Sequence, residues 1–242
     1  MLREGRATLP IAVAVQPIAV DDPRAGFVFA WTDEAGFHRL WAAALFHRCL
    51  DGYDATLLLW ESGLDTEALA HCRIAFEHLL SFAWVVADRT DITRPLRIDR
   101  HGVGFAEKQV AEMASYTGLS ERRPYQVGLA LGVNTSDLPP PPGAQDLCSL
   151  LDDELLPRLE AMARTGMSFS AWYSRVYRGA SAFVHPTPAG IDPLIERAPG
   201  NIEIAPSRAR PPGLLETVAT QLRTVLHIAN TAAPWLVEGR VP

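Results

Sequence analysis

Two short stretches hold residue types that could do acid–base or anion chemistry together. The first is 172-WYSRVYRGASAFVHP-186, and the second is 73-RIAFEH-78. In the first, Arg178 and His185 sit at i and i+7, nearly two helical turns apart, so on a helix they share a face about 10 Å apart along the axis. Ser181 falls between them. Tyr173, Tyr177 and Ser181 form an adjoining stripe at i, i+4 and i+8, and Pro186 ends the helix at His185, because the residue before proline disfavours helical backbone angles. A histidine at a helix C-terminus meets the negative end of the dipole, which favours its protonated form and suits a general acid near neutral pH. The same histidine could equally do no more than satisfy the last carbonyls.

The second stretch places Arg73 and Glu77 one turn apart, with His78 following, just before a run that is apolar on every side. Charges beside a core need partners. Glu77 is expected to accept from Arg73 and from a hydroxyl on the 168–185 helix, Tyr177 or Ser181. The competing reading is an ordinary surface ion pair between Arg73 and Glu77.

The elements that must position these residues are helical. The stretch 33–62 repeats Phe37, Leu40, Trp41, Ala44, Leu45 and Cys49 at spacings of three and four, with Thr32 or Asp33 as cap and Gly52 as a point of bending or division. The stretch 65–91 is apolar nearly all round from Leu79 to Ala87, which predicts a central buried helix. A third helix is expected within 94–117. Residues 123–144, with Pro139 to Pro142, read as a loop or spacer. Helical pattern returns at 145–165, at 168–185 and at about 212–238. Between the last two, LIER and IEIA flank APGN and predict a small hairpin near 193–205. The expected fold class is all-α: residues 1–31 as an N-terminal arm, and 32–242 as a single helical bundle.

Composition narrows the function. Hydrophobic residues make up 48% of the 242, enough for a sizeable core. The net charge of -6 argues against a broadly basic nucleic-acid surface, though not against a local patch, and Lys108 is the only lysine. Three cysteines, Cys49, Cys72 and Cys148, with no CxxC spacing, fit a reducing cytoplasm and supply neither a disulfide framework nor a zinc site. The apolar stretch 11–20 is too short to span a bilayer, and Pro17 interrupts it, so no membrane role is expected. Although MLREGR has the charge of a signal n-region, no clear small-residue cleavage site follows.

Cofactor and metal motifs are near-misses. The stretch 102-GVGFAE-107 lacks the third glycine of a dinucleotide loop, and 179-GASAF-183 lacks the closing glycine of a nucleophile elbow. His47, Asp51 and Asp54 share a helical face but read better as a solvated polar face than as a metal trio. No cofactor and no metal are therefore expected.

The pair 73-RIAFE-77 and 177-YRGASAFVHP-186 resembles an uncharacterised bacterial helical family whose members carry an R-x-x-x-E helix and a later Y-x-x-x-S-x-x-x-H-P helix. Arg178 to His185 is also similar to the R-x(4–6)-H signature of the HEPN superfamily, over about residues 33–187. That resemblance implies a helical bundle, often a homodimer, and in many members a metal-independent endoribonuclease of toxin–antitoxin or phage-defence systems. Its implied partners are RNA and an antitoxin or other protein. Arg178 would bind or polarise phosphate, and His185 would be the general acid or base. Arg73, Glu77, Tyr173, Tyr177, Ser181 and Arg175 are the expected binding residues, with Arg164 extending the surface. Here Gly179 follows the motif arginine where the superfamily often has a polar residue. A non-catalytic interaction or small-ligand-binding module is the alternative, with its pocket between helices 65–90 and 168–185.

Overall fold

A computed structural model describes residues 16–18, 28–30, 34–101, 137–159, 167–184, 195–198, 201–204 and 213–238. The protein is all-α in class, as the periodicity predicts. Among the described residues β structure is limited to two antiparallel pairs. One, β3 Ile195–Ala198 with β4 Asn201–Ile204, is the expected hairpin, with Ile195 opposite Ile204 and Ala198 opposite Asn201. The other, β1 Gln16–Ile18 with β2 Val28–Ala30, lies in the segment expected to be a plain extended arm.

The helices are α1 Glu34–Glu61, α2 Asp65–Ala87, α3 at 93–101, α4 Ala144–Glu154, α5 Phe169–Trp172, α6 Arg178–Val184, α7 Leu214–Ala232 and α8 Trp235–Glu238. A π-helical segment, Tyr173–Tyr177, joins α5 to α6. The expected caps Thr32 and Asp33 lie outside the described residues, as do most of the predicted third helix and Arg164.

The described residues cluster into two compact units. One takes in Ala43–Ala87 and the described part of 143–242; the other takes in the described parts of 12–42 and 88–142. The sequence reading treats 32–242 as one domain.

In the first unit α2 is central. It packs against α4, α6, α7 and the π segment, and Leu79, Leu80, Phe82, Ala83, Trp84, Val85 and Val86 are all buried. Consecutive buried residues mean that neighbours cover the helix on every side, which is why its sequence lacks a polar face. By length and composition α2 could cross a bilayer, but it is the core helix of this unit.

Gly52 does not divide α1. The helix runs through it because Gly52 lies against α2, where an added Cβ would stand 2.9 Å from the Ala75 Cβ and 3.2 Å from its Cα. Phe46 and Phe82 meet across the same pair of helices, with ring centroids 5.7 Å apart. α1 ends in a Schellman arrangement. Gly63 takes φ +75, Leu64 N–H donates to the Leu59 carbonyl at 2.9 Å, and Gly63 N–H donates to that of Trp60 at 3.0 Å.

Two of the later helices are shorter than the periodicity predicts. α4 stops at Glu154 and a 3-10 turn, Leu156–Arg158, carries Pro157. α7 stops at Ala232, two residues before Pro234. The turn after α4 serves α2: Arg158 Nη1 donates to the Ala87 carbonyl at 2.6 Å, placing a cation on orphan acceptors at the helix C-terminus.

In the second unit, Phe37 and Leu96 are buried, with Trp41, Ile92 and Leu138 packed on them. Asp91 opens α3 by accepting from Thr93 N–H at 3.0 Å and pairing with Arg94 at 3.2 Å. Arg97 donates to the Pro139 and Pro140 carbonyls, and Arg100 to that of Leu138, so the proline run lies along α3.

Candidate functional site

The candidate site forms where α2 meets the helix running from Phe169 to Val184, inside the first unit. That second helix is fixed at its start by two caps. Ser168 Oγ accepts from Ala171 N–H at 3.0 Å, and the Asp152 carboxylate on α4 accepts from Phe169 N–H at 2.6 Å and Ser170 N–H at 3.1 Å. Together they satisfy three of the helix's first donors and set negative charge at its positive end.

The π segment then decides which side chains face α2. Trp172 packs on Phe76, with ring centroids 6.1 Å apart, and Tyr177 meets Arg73. In a regular α-helix, residues five apart point about 140° away from each other, at 100° per residue. The wider i→i+5 turn brings both onto α2.

Arg73 is held from three directions. Its Nη2 donates to the Tyr177 hydroxyl at 2.8 Å and pairs with Glu77 Oε1 at 3.2 Å, and its Cζ lies 4.4 Å from the centroid of the Tyr177 ring. Its side chain is 19% exposed, against 41% for Glu77. The expected hydroxyl contact to Glu77 is replaced by one to Arg73, because the longer side chain reaches across to the phenol oxygen while Glu77 stays in water. Ser181 does not reach Glu77 either: its Oγ donates to the Tyr177 carbonyl at 2.6 Å, within its own helix. Arg73 Nε is buried without a partner among the described residues.

Tyr173 stacks on Tyr177, with centroids 4.9 Å apart and planes inclined at 17°. Both rings are half-buried, so the pair presents an aromatic step at the surface. On the same helix Arg175 and Arg178 are exposed, Arg175 two residues from either ring and so turned to another side, and among the described residues neither side chain makes a hydrogen bond or ion pair. Exposed guanidiniums on a helix that also carries stacked rings suit anions attached to flat groups, since guanidinium forks match phosphate oxygens and aromatic faces accept bases. His185 lies outside the described residues.

His78, on the neighbouring turn of α2, is half-buried, with Nδ1 unpartnered among the described residues. Burial pushes its imidazole below the ordinary value; Arg48 adds to this and Glu77 opposes it. His47, Asp51 and Asp54 form no metal cluster, and no other such group occurs among the described residues. All three cysteines are buried free thiols, and burial pushes Cys72 and Cys148 up to about 12, so neither is a ready nucleophile.

Of the residues expected from sequence, the structure brings Arg73, Glu77 and Tyr177 together and leaves Arg178 exposed; it adds Asp152, which spacing does not single out. Its one signal was an acidic residue on the helix before a Ser168 cap, and spacing does not reveal a pairing across 17 residues.

Residues 39–127 match a family of unknown function (DUF5677). The matched stretch is less than half of the chain. It contains Arg73 and Glu77 and stops before the Tyr173–Arg178 face. No curated protein and no solved structure matches the chain.

Proposed function

We propose that the protein binds single-stranded RNA on the Tyr173–Arg178 face and cleaves it as a metal-independent endoribonuclease in the cytoplasm. The observation that carries this reading is a helix that presents the stacked Tyr173 and Tyr177 together with two exposed guanidiniums, Arg175 and Arg178, that are without an ion pair among the described residues. RNA supplies its own nucleophile. The 2′-oxygen bonds to phosphorus, the bond from phosphorus to the 5′-oxygen breaks, and the products are a 2′,3′-cyclic phosphate and a 5′-hydroxyl. The protein need only move protons and stabilise charge on the phosphate. Arg178 holds the phosphate, water takes the proton that leaves the 2′-oxygen, and His185 gives a proton to the departing 5′-oxygen. Arg175 extends the phosphate track and the tyrosines stack on bases. Arg73, neutralised by Glu77, positions Tyr177. The resemblance to toxin and phage-defence nucleases is in keeping with this role, with a protein antitoxin as partner.

The test is cleavage of a mixed RNA pool by wild type and His185→Ala, with and without EDTA. Wild type is expected to cleave in EDTA, leaving cyclic-phosphate ends, and His185→Ala to be folded and inactive. Equal cleavage by both overturns the reading. A second reading, a binding module without catalysis, draws on the same aromatic step and on a polar cluster whose Arg73 and Ser181 are committed to structural contacts. It predicts RNA or nucleotide binding by wild type with no cleavage.

A further inference from the structure

Beside its buried face α7 carries an apolar seam that is largely exposed among the described residues. The helix packs its own core through Leu214, Val218, Gln221, Thr224, Val225, Ile228, Ala229 and Ala232, all buried. Leu215, Ala219, Leu222 and Leu226 are not in that set. They recur at i, i+4, i+7 and i+11, the alternation of four and three that defines a coiled-coil seam. Leu215 is 41% exposed and Leu226 is 39% exposed; Ala219 is exposed and Leu222 half-buried.

Two opposite charges border this seam along one edge. Glu216 and Arg223 directly follow Leu215 and Leu222, so both take the position flanking the seam on the same side. They are two turns apart, about 10.5 Å along the axis, too far to pair with each other. Both are exposed, and among the described residues neither is in an ion pair.

We infer that α7 docks antiparallel against α7 of a second copy of this chain, and that Glu216 and Arg223 set the register. A two-fold axis midway between Ala219 and Leu222 places Leu215 against the partner's Leu226 and Ala219 against the partner's Leu222. The same axis brings Glu216 within two residues, about 3 Å along the helix, of facing the partner's Arg223. The contact repeats by symmetry, so a single isologous interface makes two ion pairs. A parallel pairing would turn the charged edge toward the partner's Val218 and Val225, which are buried in their own core. The small Ala219 lets the two backbones approach near the axis. This interface does not depend on the RNA reading, and either can fail without the other.

Sedimentation velocity over a concentration series tests it. Wild type is expected to show a reversible monomer–dimer equilibrium. Leu226→Glu, at an exposed position, is expected to be monomeric with an unchanged circular dichroism spectrum. Glu216→Arg and Arg223→Glu alone each place like charges face to face and are expected to weaken the dimer about fivefold or more. The double swap carrying both changes restores both ion pairs and is expected to return the wild-type constant. A wild type that stays monomeric throughout, a dimer indifferent to Leu226→Glu, or a double swap no better than the single ones would overturn the proposal.

Discussion

Replacing Gly52 by alanine puts two opposing effects in direct competition. In a helix interior alanine is worth about 1 kcal/mol over glycine, so at an open position the change would stabilise α1. Here the new methyl would stand 2.9 Å from the Ala75 Cβ and 3.2 Å from its Cα. Carbon atoms prefer about 3.5–4.0 Å, so the overlap is on the order of 0.5–1 Å. Neither contact is the far end of a flexible side chain, so α1 and α2 must separate or slide, and overpacking of this kind costs about 1–3 kcal/mol. The balance is a net loss of about 1 kcal/mol, with Gly52→Val losing more. For a chain of this size that is a fall in Tm of about 2–4 °C. Urea denaturation of the single variants and of Gly52→Ala with Ala75→Gly decides the matter. The double variant moves the methyl from one helix to the other and should recover part of the loss through coupling. A Gly52→Ala protein more stable than wild type would refute the claim that glycine is present for close approach.

Asp152→Ala removes the acceptor for two N–H groups at the start of α5 and should cost about 1–2 kcal/mol by chemical denaturation, with a larger effect on the Tyr173–Arg178 face than on α2 in hydrogen exchange. Glu77→Ala should cost no more than about 1 kcal/mol, because Glu77 is 41% exposed; a loss of several kcal/mol would mean the pair is buried in solution. Tyr53→Phe deletes a fully buried hydroxyl with no partner among the described residues and should be neutral or stabilising; clear destabilisation would point to a bound water there. Burial raises the Asp99 carboxyl to about 6. The unfolded chain therefore ionises first, and this group lowers stability as pH rises from about 4 to about 6. Asp99→Asn should match wild type near pH 4 and exceed it above pH 6; an unchanged difference across that range would contradict the shift.

Part of this architecture can be read from residue types alone. The apolar run Leu79–Ala87 announces a helix covered on all sides, and β3 and β4 follow from turn residues between two β-prone tetrads. Gly52 shows where such reading stops. In sequence it is a helix breaker, and only the partner helix reveals it as a contact. The π segment is hidden for the same reason. Nothing in WYSRVY marks a widened turn; it arises because Trp172 and Tyr177 both find partners on α2. At the site, the one-turn spacing of Arg73 and Glu77 revealed their pairing. The same spacing points the hydroxyl to Glu77, whereas the folded chain gives it to Arg73, because spacing gives a face and not the reach of a side chain. The role of His185 rests on the motif alone, whereas exposure of Arg178 is a property of the folded chain.

The most direct test of the central claim is fluorescence anisotropy of a labelled single-stranded RNA with His185→Ala, which keeps the RNA intact, and with the same protein also carrying Arg175→Ala and Arg178→Ala. The account predicts salt-sensitive binding by the first and at least tenfold weaker binding by the second, both proteins remaining folded. Equal affinity for the two, or no binding by the first at low salt, would contradict it.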